Sequence, residues 1–414
     1  NIMGERWYFI NNTFSNGYGG ILFDNGHNST VNGNVFNNFT ISDVDGIAVG
    51  TGSNITIQDN NFTSMRTPIG VYGELEIYIL NNNFINIYDL GINFDGNNSE
   101  ISGNYFYNIS ATNVSVSIPG FINVYNSNNI LISNNTMNLG IANITGDGEL
   151  PRGISLAGGD GGSHNVTIQS NTIDNINGTG IFVGDATLTN ITIFQNSVNN
   201  VSSAIYISGL LGINITSNNL TNNNIGFNTV SYSDTNIIFN DNYVANSSLY
   251  GMFLKNISAS LFYNNTFYNN DRGILFDSPN SVGGNNFTNN KYIANNYSYQ
   301  FENSIQNLVF YQENISDSII SGIYINGRTG ITNLTWYDTV FTNNTLDVTL
   351  IASNGINLVF VNTTFNSSKL NVGTYSKVYY KKPVQFNVTD NSDAAINNAT
   401  VTAYDSTEAV DNLG

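Results

Sequence analysis

The chain has 414 residues, of which only 10% are charged; 11 Lys+Arg against 29 Asp+Glu give a net charge of −18. That balance argues against nucleic acid and anionic lipid as partners, since both carry the same sign. No apolar run approaches the roughly 18 residues of a membrane-spanning helix, and the absence of Cys excludes disulfides and Cys-based zinc sites.

From its first residues the chain repeats one phrase, an Asn, any residue, then an apolar residue. It recurs at Asn12, Asn34, Asn60, Asn82, Asn104, Asn135, Asn171, Asn196, Asn218, Asn242, Asn265 and Asn285. Most gaps fall near 20 to 26 residues, the range that marks a solenoid. A second phrase, Gly-apolar-x-apolar, appears once per cycle, as in Gly20-Ile21-Leu22-Phe23, Gly91-Ile92-Asn93-Phe94, Gly180-Ile181-Phe182-Val183 and Gly322-Ile323-Tyr324-Ile325. Apolar pairs such as Ile55/Ile57, Ile130/Ile132 and Ile213/Ile215 precede the Asn. Alternation at period two predicts short strands with one face inward, and the intervening Asn and Gly break helices. Three such strands per cycle predict an all-β, right-handed parallel β-helix.

The repeated Asn is expected at a sharp corner, in the left-handed conformation that Asn tolerates, with stacked amides forming one ladder of twelve. Gaps from Asn104 to Asn135 and from Asn135 to Asn171 predict extruded loops. One of these, Gly146-Asp147-Gly148-Glu149-Leu150-Pro151-Arg152, is followed by Asp160 and His164. Asp147, Glu149 and Asp160 are the oxygen donors a calcium ion could use, against an ordinary solvated loop. No catalytic or cofactor-binding residue is assigned.

Twenty-eight Asn-x-Ser/Thr sequons are present, roughly twice the chance expectation for this composition. They are Asn11, Asn28, Asn38, Asn54, Asn61, Asn97, Asn108, Asn113, Asn134, Asn143, Asn165, Asn177, Asn190 and Asn200, followed by Asn214, Asn219, Asn246, Asn256, Asn264, Asn286, Asn296, Asn314, Asn333, Asn343, Asn362, Asn366, Asn387 and Asn398. The ladder Asn are not sequons, because the residue two places on is apolar and points inward. An extracellular surface bearing N-linked glycans is expected, set against sequons arising incidentally from β-helix phrases.

Regular coils are expected to about residue 290 and looser coils to 375. At 376–414 the composition changes: Lys377, Lys381 and Lys382 lead into two alternating stretches, 384–390 and 399–405. These predict a hairpin of a partial β-sandwich, cut short at Gly414 or completed by a neighbouring subunit.

The Gly-Ile-x-Phe and Ile-x-x-Asn-x-Phe phrases resemble the parallel β-helix repeats of the pectate-lyase-like superfamily, NosD-like repeats in particular. With the sandwich-like Asn398-Ala399-Thr400-Val401-Thr402-Ala403-Tyr404-Asp405, the whole resembles archaeal adhesin-like and surface-layer proteins with an immunoglobulin-like or carboxypeptidase-regulatory-like domain. The resemblance implies a cell-surface protein, with self-association head to tail or by strand donation, and possible contact with surface carbohydrate. It also implies an alternative, a polysaccharide lyase, hydrolase or carbohydrate-binding β-helix. The set Asn-Thr-Asp, Gly-His-Gly and Arg-Ile-Lys seen in polygalacturonases is missing, and the chain has only five Arg and two His. The expectation is therefore a non-enzymatic filament or surface-layer subunit or adhesin. Tyr78, Tyr105, Tyr243 and Tyr263 are candidates to face outward for sugar stacking.

Overall fold

The computed structural model describes residues 2–17, 19–39, 45–111, 120–142, 150–158, 162–185, 187–229, 234–277, 284–302, 305–326, 331–351, 356–382, 402–404 and 410–412. The alternating stretches do form strands, and the strands coil. Within one coil, Thr67–Leu80 bends around two faces and Asn83–Ile87 supplies the third. Each strand pairs in parallel with its equivalents one coil before and after. Ile47, Ile69, Ile92, Ile122, Ile154, Ile181, Ile205, Phe227, Met252 and Ile274 accordingly form one column in strict register. The protein is an all-β, right-handed parallel β-helix. Among the described residues the single helical turn is the 3-10 turn Ser367–Lys369.

Inward positions are Ile, Val, Leu and Phe, and nearly all are fully buried. Phe14, Phe36, Phe62, Phe84 and Phe106 stack as a file with centroids 4.5–5.0 Å apart, matching the coil repeat. A second file, Phe262, Phe287, Phe310 and Trp336, runs through the later coils.

The Asn ladder exists, with two corrections. First, the left-handed residue is not the ladder Asn but the one before it: Asn11, Gly33, Asp59, Asn81, Gly103, Asn134, Ser170, Gln195, Ser217, Asp241 and Asn264 have φ between 52° and 67°. That outer position needs only a residue tolerant of the turn, so its identity varies. The ladder Asn sits inside the corner, where its amide meets buried backbone. The Oδ1 of Asn82 accepts both the backbone and side-chain N–H of Asn60, and Asn60 Nδ2 also donates to Val31 O at 2.9 Å.

Second, the column holds eleven of the twelve predicted members. Asn265 donates to Asn290 Oδ1, not to Asn285. Asn285 belongs to another corner, where it accepts from the backbone of Ser260. Its phrase is the same because Phe287, two residues on, enters the second aromatic file. The true continuation, Asn290-Lys291-Tyr292, carries the same spacing.

Two compact units are distinguished, Asn1–Tyr380 and Lys381–Gly414. In the second, Thr402–Tyr404 pairs antiparallel with Val410–Asn412. The predicted strand 384–390 lies outside the described residues.

Candidate functional site

The x of Gly-apolar-x-apolar points away from the core, as does the residue two places after it. Stacking the coils aligns these positions into one lateral face. Its middle column reads Leu22, Ala48, Gly70, Asn93, Asn123, Ser155, Phe182, Tyr206, Asn228 and Phe253, continuing to Leu275, Gln300 and Tyr324. Between Ala48 and Tyr206 the column passes from small residues through amides to aromatics.

A polar cluster occupies the face where the amides stand. Tyr72 Oη donates to Asp45 Oδ2 at 2.7 Å. Gly70 makes this possible: a Cβ there would lie 2.3 Å from Asp45 Oδ2 and 2.5 Å from Tyr72 Oη. Asp95 pairs in register beside Tyr72, and Tyr125 ends the matching strand one coil further. Asn93, in the next coil's middle position, accepts from Asn123 Nδ2 at 3.1 Å and pulls the phenols of both Tyr72 and Tyr125 down against the effect of burial. Beyond them Arg152 donates to Ser155 Oγ at 3.2 Å and lies 3.5 Å over the Phe182 ring.

Burial raises the carboxyl of Asp45 above the ordinary range, partly offset by the Tyr72 hydrogen bond. Burial also raises Asp95, with Asn126 pulling the other way. Tyr72 and Tyr125 are both pushed up, by burial first and then by the neighbouring carboxylates. Two carboxyls that hold protons unusually well, two phenols and a guanidinium thus share one open face, the groups general acid–base chemistry uses.

Asp147, Glu149 and Asp160 lie outside the described residues, and among those described no group of three or more His, Asp or Glu could hold a metal ion. His164 is not beside Arg152: it opens the next strand and meets Thr189 Oγ1 at 2.7 Å. Tyr105 and Tyr243 are exposed and Tyr78 and Tyr263 half-buried; Tyr78 stands past the bend of Thr67–Leu80 and the other three on strands outside this face.

Fifteen sequon Asn take left-handed turn positions: Asn11, Asn28, Asn38, Asn54, Asn108, Asn134, Asn165, Asn190, Asn200, Asn246, Asn256, Asn264, Asn333, Asn343 and Asn362. Many hydrogen-bond outside the coil, as Asn190 to Asn165 at 2.5 Å and Asn165 to Asn129 at 3.0 Å. Asn61, Asn97, Asn177, Asn214, Asn219, Asn286, Asn296, Asn314 and Asn366 are described elsewhere on the coil; Asn113, Asn143, Asn387 and Asn398 are outside the described residues. Asn175, Asn177, Asn200 and Asn222 line a groove of about 420 Å³.

Residues 2–151 match the family described as "Right handed beta helix region". Among solved structures, a thermostable GH87 α-1,3-glucanase catalytic unit from Streptomyces thermodiastaticus is similar with TM-score 0.50 and 11% identity, over 86% of this chain and 64% of that one. A mannuronic acid-specific family 6 polysaccharide lyase from human gut microbiota covers 88% of each chain at TM-score 0.48 and 12% identity. PfbA, a surface adhesin of Streptococcus pneumoniae, matches over 78% of this chain and 83% of that one, at 0.43 and 12%. No curated protein matches in sequence. At these identities the likeness is one of fold.

The expectation of a non-enzymatic chain is nonetheless corrected. The α-1,3-glucanase catalytic unit, at TM-score 0.50, carries an enzyme on this same coil. The expectation rested on the scarcity of Arg and His over the whole chain. Acid–base groups need only be dense in one place, and Asp45, Tyr72, Asp95, Tyr125 and Arg152 are. A surface adhesin and a periplasmic alginate epimerase are among the similar structures, which is compatible with an extracellular location, and no helix among the described residues is long and apolar enough to cross a membrane.

Proposed function

We propose that the protein acts outside the cell on an extended neutral polysaccharide, bound along the Gly-apolar-x-apolar face and hydrolysed at Asp45 and Asp95. The observation that carries the reading is the hydrogen bond from Tyr72 to Asp45, with Asp95 paired in register beside Tyr72. Glycoside hydrolysis needs one carboxyl that delivers a proton to the leaving oxygen and one carboxylate on the other side of the bond. Asp45, held by the donated phenol hydrogen bond, suits the ionised role. Burial raises both carboxyls; the phenol hydrogen bond that favours charge falls to Asp45, which leaves Asp95 as the proton donor. Asn93 and Asn123 offer amides to sugar hydroxyls, and the rings of Phe182 and Tyr206, 5.4 Å apart, offer apolar faces to the pyranose.

A neutral polymer is favoured because a net charge of −18 would repel a polyuronate. No imidazole serves this face either: His27, like His164, begins the next strand direction and meets Ser53 Oγ at 3.0 Å. The test is release of reducing ends from a panel of neutral and acidic polysaccharides by wild type, Asp45→Asn and Asp95→Asn. Cleavage of a neutral glycan lost in both variants supports the reading; no cleavage of any polymer, or cleavage that survives both changes, overturns it. N-linked glycans on the sequon Asn are proposed as the surface coat of the same extracellular protein.

A further inference from the structure

The same face carries a second group of side chains, six coils beyond Asp95, or roughly 29 Å at the spacing of stacked strands. Tyr250 and Phe253 stack at 5.2 Å, and Tyr297 and Tyr324 lie 4.8 Å apart. Between these two aromatic pairs the strand Arg272–Phe276 carries Arg272 outward. Its guanidinium is 5.2 Å from the Tyr250 ring and is fixed by Asp271 Oδ2 at 2.7 Å and Gln300 Oε1 at 2.6 Å. Gln300 Nε2 in turn donates to Glu302 Oε1 at 2.6 Å. The outward Leu275 and Gln300 are only 2% and 5% exposed, so the flanking rings and the guanidinium wall in a floor.

We propose that Tyr250, Arg272, Gln300 and Tyr324 form a second saccharide subsite that anchors a distant stretch of the same neutral polymer; this rests on the reading of the face given above. The chemistry is specific. Paired rings at either end suit the apolar faces of hexoses, and a guanidinium, an amide and a carboxylate locked together present donors and acceptors to hydroxyls without reorganising. The local charges, one cation against Asp271 and Glu302, leave a net negative patch that disfavours uronates. Tyr324 Oη feels both Glu302 and Arg272, so it belongs to the same polar group as the floor. Phe182 and Tyr206 lie on the path between the two sites, giving a polymer ring contacts along the way.

The experiment is retardation of the full chain in native gels containing the soluble neutral polysaccharide, in an Asp95→Asn background so that the polymer persists. Tyr250→Ala with Tyr324→Ala should weaken retention about five- to tenfold, while Tyr250→Phe with Tyr324→Phe retains it and all variants keep the parental melting temperature. Unchanged retention in the alanine pair overturns the subsite. The two readings fail separately. Lost retention in the alanine pair with no cleavage by wild type leaves the subsite standing and removes the hydrolase. Cleavage by wild type with full retention in the alanine pair does the reverse.

Discussion

Glu313 takes the place of an amide in the Asn column: its Oε1 accepts the backbone N–H of Asn290 at 3.3 Å and its Nδ2–H at 3.1 Å. Its other oxygen is 2.5 Å from Tyr299 Oη, which lies 2.7 Å from Tyr292 Oη, and all three residues are fully buried. Burial pushes the Glu313 carboxyl up to about 8, against the hydrogen bonds that favour its charge. The ladder therefore ends on a carboxyl that burial holds toward its neutral form.

The folded state binds this proton more tightly than the unfolded chain, whose carboxyl titrates near 4.5. Stability is then full below that value and falls as pH rises through about 8. Thermal unfolding between pH 5 and 9 should show the midpoint descending over that window. Glu313→Gln, which keeps the acceptor for Asn290, should flatten the descent and unfold at a higher temperature than wild type at pH 9. Parallel curves for the two proteins would contradict this role.

Asn135 makes ladder bonds in both directions, accepting from Asn104 N and Nδ2 at 3.0 Å and donating to Ile101 O and Asn171 Oδ1 at 2.9 Å. Asn135→Ala orphans the buried Asn104 N–H and should destabilise by about 2–4 kcal/mol. Asn129→Gly, which removes an exposed outer amide and keeps the left-handed backbone at φ 58°, should cost less than about 1 kcal/mol. Denaturant midpoints of the two variants decide, and equal losses would refute the distinction between inner and outer columns.

Gly70→Ala places a methyl between Asp45 and Tyr72. On the proposed mechanism it lowers kcat/KM on the neutral polymer by on the order of a hundredfold through misplacement of the pair, with secondary structure by circular dichroism unchanged. Wild-type kcat/KM in Gly70→Ala would place the chemistry elsewhere.

The acidic limb of the pH–rate profile should lie above the range of an ordinary aspartate, because burial raises both Asp45 and Asp95. Tyr72→Phe deletes the hydrogen bond that holds Asp45 down, so that limb should move further toward neutral pH. A limb that stays in place, or moves toward acid, would disconnect Tyr72 from the titrating group.

Sequons separate by position. Asn177, Asn219, Asn286 and Asn314 are exposed and outside the left-handed columns, whereas Asn97 has its carbonyl oxygen occupied by Asn128 N and Nδ2 at 2.8 and 3.0 Å. Glycopeptide mass spectrometry of the protein from its natural source should find the first four occupied and Asn97 bare.

The coil was legible in the sequence because each phrase reports a local necessity: period-two alternation for strands, a buried amide wherever backbone turns inward. The error of one residue in placing the left-handed turn arose because Asn suits both the turn and the ladder. Asn11-Asn12 and Asn81-Asn82 carry both in sequence, while Asp59-Asn60 and Gln195-Asn196 show that only the second is constrained. The site was hidden for a different reason. Asp45, Tyr72 and Asp95 stand before or after the repeated phrase, at intervals of 27 and 23 residues, and nothing local joins them. The x position held the clue, since aligning the coils on Gly-apolar-x-apolar brings Gly70, Asn93 and Asn123 into one column.

The most direct measurement is the structure of Asp95→Asn bound to an oligosaccharide of the neutral polymer it retains. The account predicts sugar density running along the Gly-apolar-x-apolar face, across Tyr72, Asn93, Tyr125 and Arg152, with a glycosidic oxygen within hydrogen-bond reach of residue 95. Density on either of the other two faces of the coil, with this face bare, would contradict it.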